Sequence, residues 1–273
     1  MDVNLLQLAA DRAAVAVQAL YSQLDRAATT VLQRSLLPAA LPVIGGLQMA
    51  ARYVPGNGNV GGDWYDVFRL PGGDVCAVIG DVTGTGLNAA VIMGRMRSAL
   101  RAYALETSDP AEILERLSRK MSHFEPDAMA SVLCAMISPS AGQVRLSSAG
   151  HPPPLVIRPG QPAELAAVAP GVLIGVASPA ARPVSTIDLP PGAVLCLYTD
   201  GLVERRDRPI DDGIARLAAA VAAEDPEDAC AAVMLAMSGY VTHRDDIALL
   251  MVRPSPVAAS AGRPDSGQLK EVL

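Results

Sequence analysis

Four short segments set carboxylates beside glycine or at the border of an apolar run, where the backbone can approach a ligand closely. Gly61-Gly62-Asp63-Trp64-Tyr65-Asp66 holds two acids next to a glycine pair, ahead of a turn at Leu70-Pro71-Gly72-Gly73. The apolar run 75–80 ends in Asp81-Val82-Thr83-Gly84-Thr85-Gly86, and the run 194–198 ends in Thr199-Asp200-Gly201. Asp245 and Asp246 stand before the run 247–252. Each segment alone reads as a turn or as solvated acids. Together they supply the oxygen ligands that hard cations such as Mg²⁺ and Mn²⁺ require, and without cations four converging acids would repel one another.

Other chemistries fit less well. The glycines after Asp81 match neither the GxxxxGK[ST] nor the GxGxxG spacing of nucleotide loops, and Asp81 would repel a phosphate unless a cation intervened. His123 and His243 have no metal-ligand spacing with each other or with cysteine, and His151, in a Gly-His-Pro-Pro turn, reads as structural. The four cysteines are scattered through apolar stretches and read as buried thiols in a reducing cytoplasm. A net charge of -6 without any dense Lys/Arg run argues against nucleic acid as a partner. The longest apolar stretch, 229–241, is too short to span a bilayer, and no signal peptide is expected.

The elements that must position the acids follow from periodicity. Residues 1–37 carry apolar side chains mostly three and four apart, without Gly or Pro, which predicts a long amphipathic helix ended by Pro38. Its apolar stripe must cover its own domain or a second copy, giving a homodimer through residues 1–37. Strands are predicted at 47–54, 75–80, 131–137, 144–148, 155–157, 194–198 and 247–252, and helices at 87–105, from 110, at 212–223 and from 226. Two helices inserted together between runs of strands point to an α+β fold, a four-layer α-β-β-α sandwich of two mainly antiparallel sheets flanked by helices. The Pro-, Ser- and Ala-rich tail 254–273 has no apolar pattern and reads as disordered, leaving 38–253 as the folded domain.

Six blocks in this order resemble the SpoIIE-like and RsbU-like serine phosphatases, a branch of the metal-dependent type 2C (PPM) protein phosphatases. They are Leu32-Gln33-Arg34-Ser35-Leu36-Leu37-Pro38, the Gly61 to Asp66 block, Gly80-Asp81-Val82-Thr83-Gly84, Ser148-Ala149-Gly150-His151-Pro152-Pro153, Tyr198-Thr199-Asp200-Gly201-Leu202-Val203-Glu204, and Asp245-Asp246. The resemblance implies two divalent cations, Mn²⁺ or Mg²⁺. Asp81 would bridge them, Asp63 and the Val82 carbonyl would serve one, and Asp200 with Asp245 the other, Asp246 being the alternative to Asp245. It further implies hydrolysis of phosphoserine or phosphothreonine by metal-activated water, on a bacterial anti-sigma-factor antagonist in partner-switching signalling. Residues 1–37 resemble the linker that joins a sensor domain, such as GAF or PAS, to such phosphatases. Many relatives carry histidine where Thr85 stands, and the type 2C enzymes have a proton donor where Thr83 stands, so the general acid is unassigned. The competing readings are a catalytically silent interaction module on the same fold and a small-molecule phosphohydrolase.

Overall fold

The structure, a computed structural model, describes residues 3–56, 61–139, 141–177, 181–239 and 245–255. Among the described residues ten strands form two five-stranded antiparallel sheets. The first joins β1 (Leu47–Val54), β6 (Leu155–Ile157), β7 (Glu164–Leu165), β9 (Val194–Tyr198) and β10 (Ile247–Pro254) in the order β1-β10-β9-β6-β7. The second joins β2 (Trp64–Arg69), β3 (Val75–Val82), β4 (Ala130–Ser138), β5 (Gln143–Ala149) and β8 (Ser185–Asp188) in chain order.

Alternation along each strand divides the core into three layers. Ala77, Ile79, Leu133, Ala135, Leu195, Leu197, Ala248 and Leu250 face the space between the sheets. Cys76, Val78, Val132 and Cys134 face α2 (Leu87–Glu106) and α3 (Pro110–Phe124) on the outside of the second sheet. Cys196, Tyr198, Leu249 and Met251 face α4 (Ile210–Ala220) and α5 (Pro226–Met237) on the outside of the first. The expected four-layer sandwich is therefore the observed one, and all four cysteines are buried thiols within it. The helices expected from 110 and from 226 start at capping aspartates: Asp109 accepts from the Ala111 N–H and Asp225 from the Glu227 N–H, each ahead of a proline.

The sequence reading missed β2 as a strand, because Trp64-Tyr65-Asp66 interrupts its apolar pattern with an acid. Its pairing with β3 brings Trp64 opposite Gly80, where the indole fills the space a Cβ would occupy, 2.4 Å from Trp64 Cη2. The last strand also runs further than expected, to Pro254, and the Ser255 N–H donates to the Gly46 carbonyl. The tail expected to be disordered lies, from residue 256 on, outside the described residues.

α1 (Val3–Leu36) meets the domain at its C-terminal end, where Leu36 packs against Gly94 of α2. Val15, Val17, Leu20, Tyr21, Leu24 and Val31 are each more than half exposed. No helix among the described residues is long and apolar enough to cross a membrane.

Candidate metal centre

Antiparallel pairing places the start of one strand beside the end of its neighbour, and the acidic segments occupy such positions. Asp63 immediately precedes β2 and Asp81 lies at the end of β3, with Trp64 registered on Gly80. In the other sheet Asp200 follows β9 and Asp245-Asp246 precede β10, with Tyr198 registered on Leu249. Carboxylate oxygens of Asp63, Asp81 and Asp200 all lie within 4.8 Å of one another. The sandwich thus joins acids from both sheets at one end of the inter-sheet layer.

The convergence disfavours the charged forms of these acids. Burial first, and then the charge of Asp81, holds the Asp63 carboxyl well above the usual range. Burial followed by the charge of Asp200 pushes Asp81 up to about 7. Asp200 is raised too, by burial and then by Asp245. A divalent cation among these oxygens would reverse each shift, so the donor set suits hard cations. The backbone offers a further oxygen: a Cβ on Gly62 would lie 2.2 Å from the Val82 carbonyl oxygen, so glycine keeps that approach open.

The two neighbouring acids before β10 have different environments. Asp246 is buried and accepts hydrogen bonds from the Tyr53 hydroxyl, the Gly56 N–H at 2.8 Å and the Gly61 N–H at 2.9 Å. A carboxylate with three donors is anchored to the protein. Asp245 is exposed and close enough to Asp200 to raise it. Asp66, the second acid of the first motif, points the other way, into the helix layer. Arg101 grips it with Nε at 2.6 Å and a second nitrogen at 2.8 Å, and Arg97 Nε lies 3.0 Å away. Asp66 joins β2 to α2.

Two side chains that the sequence reading passed over organise the centre. Thr199 is fully buried; its hydroxyl donates to Asp63 Oδ2 at 2.6 Å and accepts from the Ala248 N–H at 2.9 Å. Ser131, registered opposite Asp81, binds His151 Nδ1 at 2.8 Å. Strand alternation carried the signal for both, since Thr199 continues the inward parity of Leu195 and Leu197, and Ser131 that of Leu133 and Ala135. A cleft of about 440 Å³ opens beside Asp81 and Asp200, lined also by Thr83, Ser131, His151 and Glu204. Among the described residues, no lysine or arginine lines it. A larger groove of about 680 Å³, between α3 and the segments 170–176 and 181–183, contains none of these acids.

Comparison with known proteins agrees with this architecture. The RsbU and RsbW domains of Rv1364c from Mycobacterium tuberculosis superpose with a TM-score of 0.73 at 29% identity, covering 81% of this chain and 63% of that one. The PP2C phosphatase domain of SpoIIE from Bacillus subtilis, solved with a fragment of its regulatory domain, shares the fold, with a TM-score of 0.63 at 17% identity over 77% of this chain and 63% of that one. The fold is that of the PP2C-type phosphatases. Over residues 71–255 the sequence matches the family described as Stage II sporulation protein E (SpoIIE), and the chain belongs to it. Protein IcfG of Synechocystis is 27% identical over an alignment of 204 residues that covers 64% of this chain and 32% of IcfG. The chain therefore spans about a third of the length of that relative.

Proposed function

We propose that this chain is a metal-dependent protein phosphatase acting on phosphoserine or phosphothreonine. The observation that carries the reading is the meeting of buried Asp63 with half-buried Asp81 and Asp200 from two sheets, mutually repelling, beside an open cleft that no lysine or arginine lines among the described residues. A phosphate entering that cleft meets Asp81, Asp200 and Glu204 and, among the described residues, no lysine or arginine, so its charge has to be neutralised by cations the acids hold.

Asp81 would bridge two cations, Mn²⁺ or Mg²⁺; Asp63 and the Val82 carbonyl would hold one, Asp200 and Asp245 the other. Asp246 is left to its structural role. When bound, the cations supply water activation and neutralise phosphoryl charge. The chain's own groups do the positioning: Thr199 orients Asp63, and the inter-sheet layer keeps bulk water from the inner face of the carboxylates. Thr83, whose hydroxyl donates to the Met129 carbonyl, is engaged at the cleft wall, and the general acid is left unassigned.

The substrate in this reading is a phosphorylated regulatory protein of the anti-sigma-factor-antagonist type, supported by the likeness to a chain carrying RsbU and RsbW domains. Residues 38–253 would form the phosphatase domain and residues 1–37 a linker helix that pairs with a second copy. Exposed Val17, Leu24 and Val31, seven residues apart, favour that pairing. The cytoplasm is the expected compartment.

Purified protein with Mn²⁺ should hydrolyse p-nitrophenyl phosphate and a phosphorylated antagonist, and Asp81→Asn should lower the rate by about 10²-fold or more while the fold persists. Full activity in the variant would remove the assignment. Absence of both activity and Mn²⁺ binding in the wild type would favour an interaction module.

A further inference from the structure

His151 connects the two sheets at the acidic end of the sandwich. Its ring Nε2 lies 3.1 Å from the Tyr198 carbonyl, two residues before Asp200, and its Nδ1 lies 2.8 Å from the Ser131 hydroxyl, on the residue registered opposite Asp81. A carbonyl only accepts, so the ring proton sits on Nε2 and Nδ1 accepts from Ser131. The backbone of His151 is held as well: its N–H donates to Ser148 Oγ at 3.2 Å and its carbonyl accepts from that hydroxyl at 3.1 Å. Gly150 precedes it at φ +72°, a left-handed turn with Leu173 packed against it, so the ring enters the layer from a fixed point.

A rigid ring with both nitrogens engaged by opposite sheets fixes the distance between them where it stands. We propose that His151 is a positioning residue that sets the spacing between Asp81 of one sheet and Asp200 of the other, and through it the affinity of the centre for divalent cations. This rests on the metal-dependent reading above. Inter-sheet packing further along the strands, through Leu133, Leu195 and Leu250, is apolar and non-directional, whereas the two hydrogen bonds of the ring are directional.

The test compares wild type with Ser131→Ala, His151→Gln and His151→Ala. Calorimetric titration with Mn²⁺ should show roughly ten-fold weaker binding in Ser131→Ala and a larger loss in His151→Ala, in the range found for groups that orient metal ligands. His151→Gln, whose amide can still donate to Tyr198, should recover part of the loss. Amide hydrogen exchange without metal is the second readout: residues 81–83 and 199–202 should both exchange faster in His151→Ala while α5 keeps its protection. Unchanged Mn²⁺ affinity in a folded Ser131→Ala or His151→Gln would overturn the proposal, as would faster exchange confined to one of the two loops. If wild type binds no Mn²⁺ the phosphatase reading fails by itself, and loosening of both loops in His151→Ala still supports the tie. Should His151→Ala not fold, Ser131→Ala and His151→Gln decide.

Discussion

The Thr199 hydroxyl donates to Asp63 across the sandwich at 2.6 Å while accepting from the Ala248 N–H of its own sheet. One buried oxygen thereby couples the β9–β10 ladder to an acid at the border of β2. Thr199→Val keeps the shape and removes both bonds, leaving the Ala248 N–H and Asp63 without this partner. Urea denaturation should show a loss of about 1–3 kcal/mol. Mn²⁺ affinity should fall about ten-fold, and an unchanged affinity would exclude a role for Thr199 in orienting Asp63.

The two acids of the first motif should separate by phenotype. Asp66→Asn weakens the contact with Arg97 and Arg101 and should destabilise the fold by about 2–3 kcal/mol while Mn²⁺ still binds. Asp63→Asn removes a buried repelling charge, so the metal-free protein should be no less stable than wild type, yet lose Mn²⁺ binding. Parallel chemical denaturation and calorimetry on the two variants check both halves.

Metal removal should expose the strain among the acids. Asp81 has a folded-state pKa of about 7 against 3.8 for the free group. For a raised pKa, its contribution to stability is present below the unfolded value and is lost as pH rises through the folded one. In EDTA the wild type should therefore weaken relative to Asp81→Asn between pH 4 and 7, and saturating Mn²⁺ should reverse the difference, because only the wild type gains the binding free energy. A difference independent of pH would contradict the assigned environment.

His151 titrates in the opposite sense. Burial lowers its pKa from 6.5 to about 4. Its contribution is full above the unfolded value and is lost as pH falls from 6.5 to 4, an amount on the order of 3 kcal/mol. The stability difference between wild type and His151→Gln should shrink by about that amount over this interval. Proton NMR of the imidazole checks the pKa directly.

Residues 1–30 hold most of the exposed apolar face of α1. Their deletion should leave a folded phosphatase domain and convert a dimer to a monomer in light scattering. An identical oligomeric state before and after would remove the pairing proposed for this helix.

The sequence alone determined which segments carry acids, that they border apolar strands, and that helices come in pairs between runs of strands. Those features are local: hydrophobic period, capping residues and glycine are written into a few consecutive positions. Only the tertiary structure decided how neighbouring acids divide their roles. Asp63 and Asp66 are three residues apart, yet one meets Asp81 and Asp200 while the other enters the helix layer between two arginines. Asp245 and Asp246 are adjacent, and only Asp246 shares the inward parity of Ala248, where Tyr53 and two backbone amides hold it. Thr199, Ser131 and His151 were ordinary polar residues until strand register and sheet packing set Thr199 on Asp63, Ser131 opposite Asp81, and His151 between Ser131 and the Tyr198 carbonyl. Registry between strands and spacing between sheets depend on contacts among residues far apart in the chain, and no short stretch of sequence encodes them.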